Sequence, residues 1–230
     1  MKIYLLRKVF VFAGFAAVIA FLCFSVERII TVSSFLDPIY QGNPEKKQVA
    51  FLCNVYWGED VLPQMLNILE KEQIKISFFI GGIWAKKNPE VLKALVNKGH
   101  ELGNHGYLHK HPDQLTVKQN EEEILKTEKI IVELTGIKTN LFAPPYGERG
   151  KNVLKAAANL KYKTILWSID TIDWQKPSPR TIVNRVIPNL TNGAIILIHP
   201  MPQTVQAFPE LIKKIKAKGY EIVTVSQILE

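Results

Sequence analysis

A chain of 230 residues and 26.1 kDa has room for one domain of roughly 100 to 250 residues with an appendage, and excludes two full domains. Its 47% hydrophobic, 10% aromatic and 22% charged residues exclude a disordered or collagen-like chain. The net charge of +8, from 29 Lys and Arg against 21 Asp and Glu, points to anionic surroundings such as nucleic acid, lipid headgroups or an acidic polymer.

Val9 to Val26 is a run of 18 residues without a charge, preceded by Lys2, Arg7 and Lys8 and followed by Glu27 and Arg28. As a helix it spans roughly 27 Å, close to a hydrocarbon core. The basic flank predicts a single-pass helix in the cell membrane with a cytoplasmic N-terminus and the remaining chain outside. A cleaved signal peptide is the alternative, but Phe24-Ser25-Val26-Glu27 is a poor cleavage site. Cys23 and Cys53 are the only cysteines; one lies in this run and the other beyond it, so the outer domain must fold without disulfides. Residues 1–30 hold four of the basic residues and one acidic, leaving 25 and 20, so part of the charge is a topology signal. Residues 31–47, with Pro38, Gly42, Asn43 and Pro44, read as a stalk.

From Gln48 to Glu230 short apolar runs alternate with helical patterns. Strands are expected at 49–53, 74–80, 100–102, 140–142, 163–167, 194–198 and 221–223. Helices are expected at 61–71, 89–97, 118–134, 151–160, 179–186 and 205–218. Asn88-Pro89 and Ser178-Pro179 pair an N-cap with Pro at the first helical position, and Thr224 with Gln227 forms a capping box. Seven β units alternating with helices predict an α/β fold with a parallel sheet or incomplete barrel, whose functional residues follow the strand ends.

Four of the five histidines fall at or near those ends. His105 and His109 have the i, i+4 spacing that aims two imidazoles at one metal, although two solvated loop histidines would show the same spacing. His111 reads as an exposed neighbour. His199 directly follows the apolar 194–198 strand. Asp170 and Asp173 follow another strand, where a carboxylate orients a histidine such as His199, or forms the turn before Trp174.

Together these residues resemble the polysaccharide deacetylase (NodB homology) domain of carbohydrate esterase family 4, collinearly over 49–230. Gly103-Asn104-His105 through His109 resembles its histidine motif and Phe142-Ala143-Pro144-Pro145-Tyr146-Gly147 its groove motif. Asp170-Thr171-Ile172-Asp173-Trp174 resembles its Asp/Trp motif and Leu197-Ile198-His199 its closing motif. The resemblance implies an incomplete (β/α)7 barrel and a hydrolase that removes N-acetyl groups from amino sugars of peptidoglycan or a related wall polymer. It implies a divalent metal, zinc with cobalt or nickel as alternatives, held by two histidines and an aspartate. Carried over residue by residue, His105 and His109 are metal ligands, His199 is the general acid, and Asp170 holds His199. The Tyr146 N–H serves the oxyanion, Pro144 lines the groove, and Trp174 and Leu197 line the acetyl pocket.

One motif departs. The family's Thr-Phe-Asp-Asp-Gly aligns without gaps onto Leu52-Cys53-Asn54-Val55-Tyr56, so Asn54 takes the position of the base and Val55 that of the third ligand. Ala143 replaces the arginine that pairs with that base. An amide is no base at neutral pH and valine does not ligate. Trp57-Gly58-Glu59 resembles the sporulation-associated branch of the family. Glu59 or Asp60 is a candidate substitute carboxylate, with Asp60 alternatively capping the next helix. The sequence therefore supports a membrane-anchored deacetylase-like hydrolase, with a catalytically silent glycan-binding or cell-wall or spore morphogenetic protein as the alternative. Nucleic acid is not an expected partner, because lysines such as Lys213, Lys214, Lys216 and Lys218 form a solvated helix face.

Overall fold

A computed structural model of the protein describes residues 36–230. The anchor at Val9 to Val26 and Cys23 lie outside the described residues. Among the described residues, no helix is long and apolar enough to cross a membrane.

Eight parallel strands alternate with helices. In chain order they are β1 (Gln48–Val55), α1 (Leu62–Lys71), β2 (Ser77–Ile80), α2 (Gly82–Lys87), α3 (Pro89–Asn97), β3 (Glu101–Asn104), α4 (Val117–Thr135) and β4 (Leu141–Phe142). There follow α5 (Lys151–Asn159), β5 (Lys163–Thr164), β6 (Ile169–Asp170), α6 (Pro179–Val186), β7 (Ala194–Ile198), α7 (Pro202–Ala217), β8 (Glu221–Val223) and α8 (Val225–Ile228). The sheet order is β5-β4-β3-β2-β1-β7-β6, with β8 paired to β1. β7 runs along Val49–Cys53 of β1, while Gln48–Ala50 pairs with β8 and Leu52–Val55 with β2.

Burial explains the sequence pattern. A parallel strand covered on both faces reads as a continuous apolar run, and seven of the eight β1 residues are buried. Phe51, Cys53 and Val55 face the core under the helices, where Phe51 meets Phe208 of α7 with ring centroids 5.1 Å apart. Ala50 and Leu52 face an inner core with Phe79, Ile195 and Leu197. By the same alternation Asn54 points inward at the open end. The long α4 carries a Thr116/Gln119 capping box and stops at Gly136 with φ 74°, the left-handed conformation that favours glycine.

Three expectations are corrected. The stalk boundary at residue 47 is too late, because Ile39 and Gln41 form bridges to Ile165 and Ala194 and the Asn43 N–H donates to the Ile228 carbonyl (2.8 Å). This segment, though rich in turn residues, lies against the open edge beside β5. Among the described residues there are eight strands, because the two-residue β6 is too short to give a period. The 163–167 run contributes only two residues of strand, since beyond Thr164 the chain bridges to Ile39 through the Leu166 N–H and by Ser168 has turned to bond the Ile195 carbonyl of β7.

His100 is buried at 6% exposure, and its Nδ1 accepts the Ile76 N–H (3.3 Å). Burial, with Lys75 and Lys98 nearby, lowers its pKa to about 4. Its folded pKa lies below its unfolded one, so the stability it supports is complete above the unfolded value and is lost as pH falls. Urea unfolding is expected to show a loss on the order of 2 kcal/mol between pH 6.5 and 4, and a shallower loss in His100→Gln. An equal loss in both would assign the acid lability elsewhere.

Candidate functional site

The strand ends open onto a cavity of about 490 Å³. Asn54 from β1, His105 and His109 after β3, Asp170 from β6, Leu197 from β7 and His199 directly after it line it. Trp57, Tyr146, Trp167 and Trp174 complete an aromatic wall. Tyr146 and Trp174 are 56% and 52% exposed, unusual for rings of this size beside a cavity.

The histidine loop is fixed from below. Asn104 is fully buried; its Nδ2 donates to the Ile124 carbonyl and its Oδ1 accepts the Gly106 N–H (both 2.9 Å). Glu123 of α4 accepts the Tyr107 and Leu108 N–H groups (3.0 and 2.7 Å). Those contacts set the approach to His109, whose φ of 52° lies in the left-handed region. Asn104 was named with the histidine motif but given no role, and Glu123 was not foreseen, since nothing in the charged run Glu121-Glu122-Glu123 marks the one that turns inward.

His105 donates Nδ1–H to the Ala143 carbonyl (2.7 Å), which leaves Nε2 as an acceptor toward the cavity. Burial first, then the neighbouring His109, holds its pKa well below the usual value. Burial lowers that of His109 also, so both rings are neutral at pH 7. Their centroids lie 5.0 Å apart, and Tyr56 and Tyr146 flank His109 at 4.8 and 4.7 Å.

The expected partner of His199 is corrected. Asp173, not Asp170, accepts His199 Nδ1–H through Oδ1 (2.7 Å). Its Oδ2 accepts the His199 backbone N–H and the Thr204 hydroxyl (2.7 and 2.6 Å). Asp170 instead accepts the Ile172 N–H (2.8 Å) and pins a turn in which Ile172 has φ 50°. That turn, costly for a β-branched residue, carries Asp173 back beneath His199. Trp57 stacks on the His199 ring at 5.5 Å and 11°, and its Nε1–H donates to Met201 Sδ (3.3 Å).

Neither candidate substitute carboxylate lines the cavity. Glu59 is exposed and accepts from Trp84 Nε1 (3.3 Å). Asp60 does not cap α1, whose N-cap is Val61 with no side-chain bond. Pro144 is buried beside the groove without lining the cavity. His111 is exposed, bonded to Glu148 (2.7 Å) and stacked on Tyr146 at 4.0 Å. Trp167 was missed because it read as the end of a strand.

The donors can be tested against the metal site that the resemblance implies. Two imidazoles share the cavity, but the third position is Val55, fully buried in the core under the helices. Among the described residues, no three His, Cys, Asp or Glu side chains converge as a ligand set. Asn54, 4% exposed, has its Oδ1 buried without a hydrogen-bond partner; an amide oxygen is a poorer zinc donor than a carboxylate. The residues present do not complete a three-ligand site.

Residues 41–165 match the family model described as polysaccharide deacetylase. The chain belongs to the polysaccharide deacetylase family. It is 43% identical to the uncharacterized protein YlxY of Bacillus subtilis over 84% of this chain and 61% of that protein. It is 33% identical to a peptidoglycan-N-acetylglucosamine deacetylase of Bacillus cereus, over 83% of this chain and 71% of that enzyme. The structure superposes with a TM-score of 0.82 on a CE4-family pseudoenzyme from Bacillus anthracis, 38% identical, covering 84% of this chain and 69% of that one. A mutant of that pseudoenzyme has restored enzymatic activity. The fold expected from the motifs is thus the family's incomplete, curled parallel barrel.

Proposed function

We propose that the protein is a catalytically silent member of this family, which binds amino-sugar polymers of peptidoglycan or a related wall in the inherited groove without deacetylating them. One observation carries the reading: Asn54 lines the cavity at the position of the family's base, with an unpartnered amide oxygen, while neither Glu59 nor Asp60 reaches the cavity to replace that base. The loss is chemically coherent. With Ala143 in place of the arginine, no buried charge is stranded.

The remaining groups suit binding. Exposed Tyr146 and Trp174 offer apolar faces to a sugar ring, and Leu197 with Trp167 forms an apolar pocket wall. Asp173 orients His199, and Trp57 covers one face of that ring. Recognition of a wall polymer also suits a domain tethered outside a membrane by Val9 to Val26, and the +5 charge of residues 31–230, 25 basic against 20 acidic, suits an anionic wall. The B. cereus deacetylase supports the polymer class, and the B. anthracis pseudoenzyme supports loss of chemistry on an intact fold.

Residual N-deacetylation is the second reading, favoured by the retention of His105, His109 and the His199–Asp173 pair together. Calorimetry with N-acetylated and de-N-acetylated glucosamine oligomers tests the first. Binding is expected to survive EDTA and His199→Ala, and to weaken about tenfold, or 1.4 kcal/mol, in Trp174→Ala. No binding of any amino-sugar oligomer would refute it.

A further inference from the structure

The cavity lining includes an unpaired carboxylate and an imidazole acceptor. Asn54 Oδ1 is buried and unpartnered. His105 commits its only N–H to the Ala143 carbonyl and offers Nε2. Asp170, freed from the role of holding His199, lines the cavity with one oxygen on the Ile172 N–H. No Lys, Arg or His among the described residues forms an ion pair with it. Arg185 donates instead to the Thr171 and Ile172 carbonyls (2.8 and 3.4 Å). Apart from the histidines, Asp170 is the one ionisable acid or base among the cavity's lining groups other than the Tyr146 phenol.

An acetamide brings one N–H and no charge to pair with that carboxylate. An ammonium brings three N–H donors and a positive charge. It matches an unpaired carboxylate and the His105 Nε2 acceptor, and the faces of Trp57, Trp167 and Trp174 attract a cation.

We infer that the cavity recognises the free amine of a de-N-acetylated amino sugar. This rests on the glycan-binding reading above and names its ligand class. The ligand is then a product of N-deacetylation, so the reaction that must supply it is hydrolysis of the acetamide elsewhere on the same polymer. The +5 charge of residues 31–230, 25 basic against 20 acidic, repels a cationic oligomer at long range, so preferential binding has to come from the local acceptors and not from overall charge.

The test is calorimetry on the full chain in detergent, with EDTA, using glucosamine and N-acetylglucosamine tetramers. Glucosamine tetramer is expected to bind at least tenfold more tightly. Asp170→Asn keeps an acceptor for the Ile172 N–H; it is expected to reduce that preference to less than threefold while the melting temperature stays unchanged. N-acetylglucosamine binding as tight or tighter, a preference unchanged in Asp170→Asn, or glucosamine binding only with added zinc would overturn the inference and leave glycan binding standing. Binding of neither tetramer would overturn both.

Discussion

Asn54→Asp/Val55→Asp is expected to release acetate from N-acetylglucosamine oligomers in the presence of zinc, at least about 100-fold faster than wild type, the low end of what a positioned general base contributes. Asn54 already lines the cavity, 4% exposed, so a carboxylate there stands where the family's base stands. Val55 differs, being fully buried and packed in the core under the helices. A carboxyl at that position without a cation lacks a partner and costs several kcal/mol. The metal-free double variant should therefore melt below wild type, and zinc should raise its melting temperature, by about 4 kcal/mol of stability at 1,000 times the dissociation constant. Zinc should move wild type much less, with only His105 and His109 as imidazole donors. A double variant indifferent to zinc and still inert would show that more than the first motif has been lost.

Asp173→Ala is expected to produce the largest loss of stability of any single change in the site. The side chain is fully buried and accepts from His199 twice and from Thr204 once. Its removal leaves three buried donors without a partner and costs about 3–5 kcal/mol, or roughly 10 °C in a domain of this size. Asp173→Asn, which keeps an acceptor oxygen, should cost less. Asp170→Ala should cost about 1 kcal/mol, because only the Ile172 N–H is released. Thermal unfolding of the three variants side by side checks the assignment of the two aspartates, and equal losses at 170 and 173 would contradict it.

The strand end at 194–198 was legible because a parallel strand buried on both faces leaves a clear apolar signature, and it agrees with the observed β7 to the residue; 221–223 agrees with β8, although only Val223 of it is buried. Spacing allowed His105 and His109 to meet and the family resemblance put them in one place, while the strand that His199 follows brought it to the same mouth. What spacing could not give was direction. Asp170 and Asp173 are three residues apart, and which one reaches His199 depends on the left-handed Ile172, a conformation rarely adopted by β-branched residues. Glu59 sits on the expected loop, yet Trp84 of α2 draws it away, and that short helix gives no periodic signal. Ile39 to Asn43 read as a stalk because their ordering comes from partners more than 120 residues away.

The central claim, a groove retained without its chemistry, is tested most directly by acetate release from N-acetylglucosamine oligomers by wild-type protein saturated with zinc, measured beside His105→Ala. The account predicts no release above the protein-free rate for either protein, from a wild type that binds amino-sugar oligomers. Release by wild type that His105→Ala abolishes would contradict it and establish a working deacetylase.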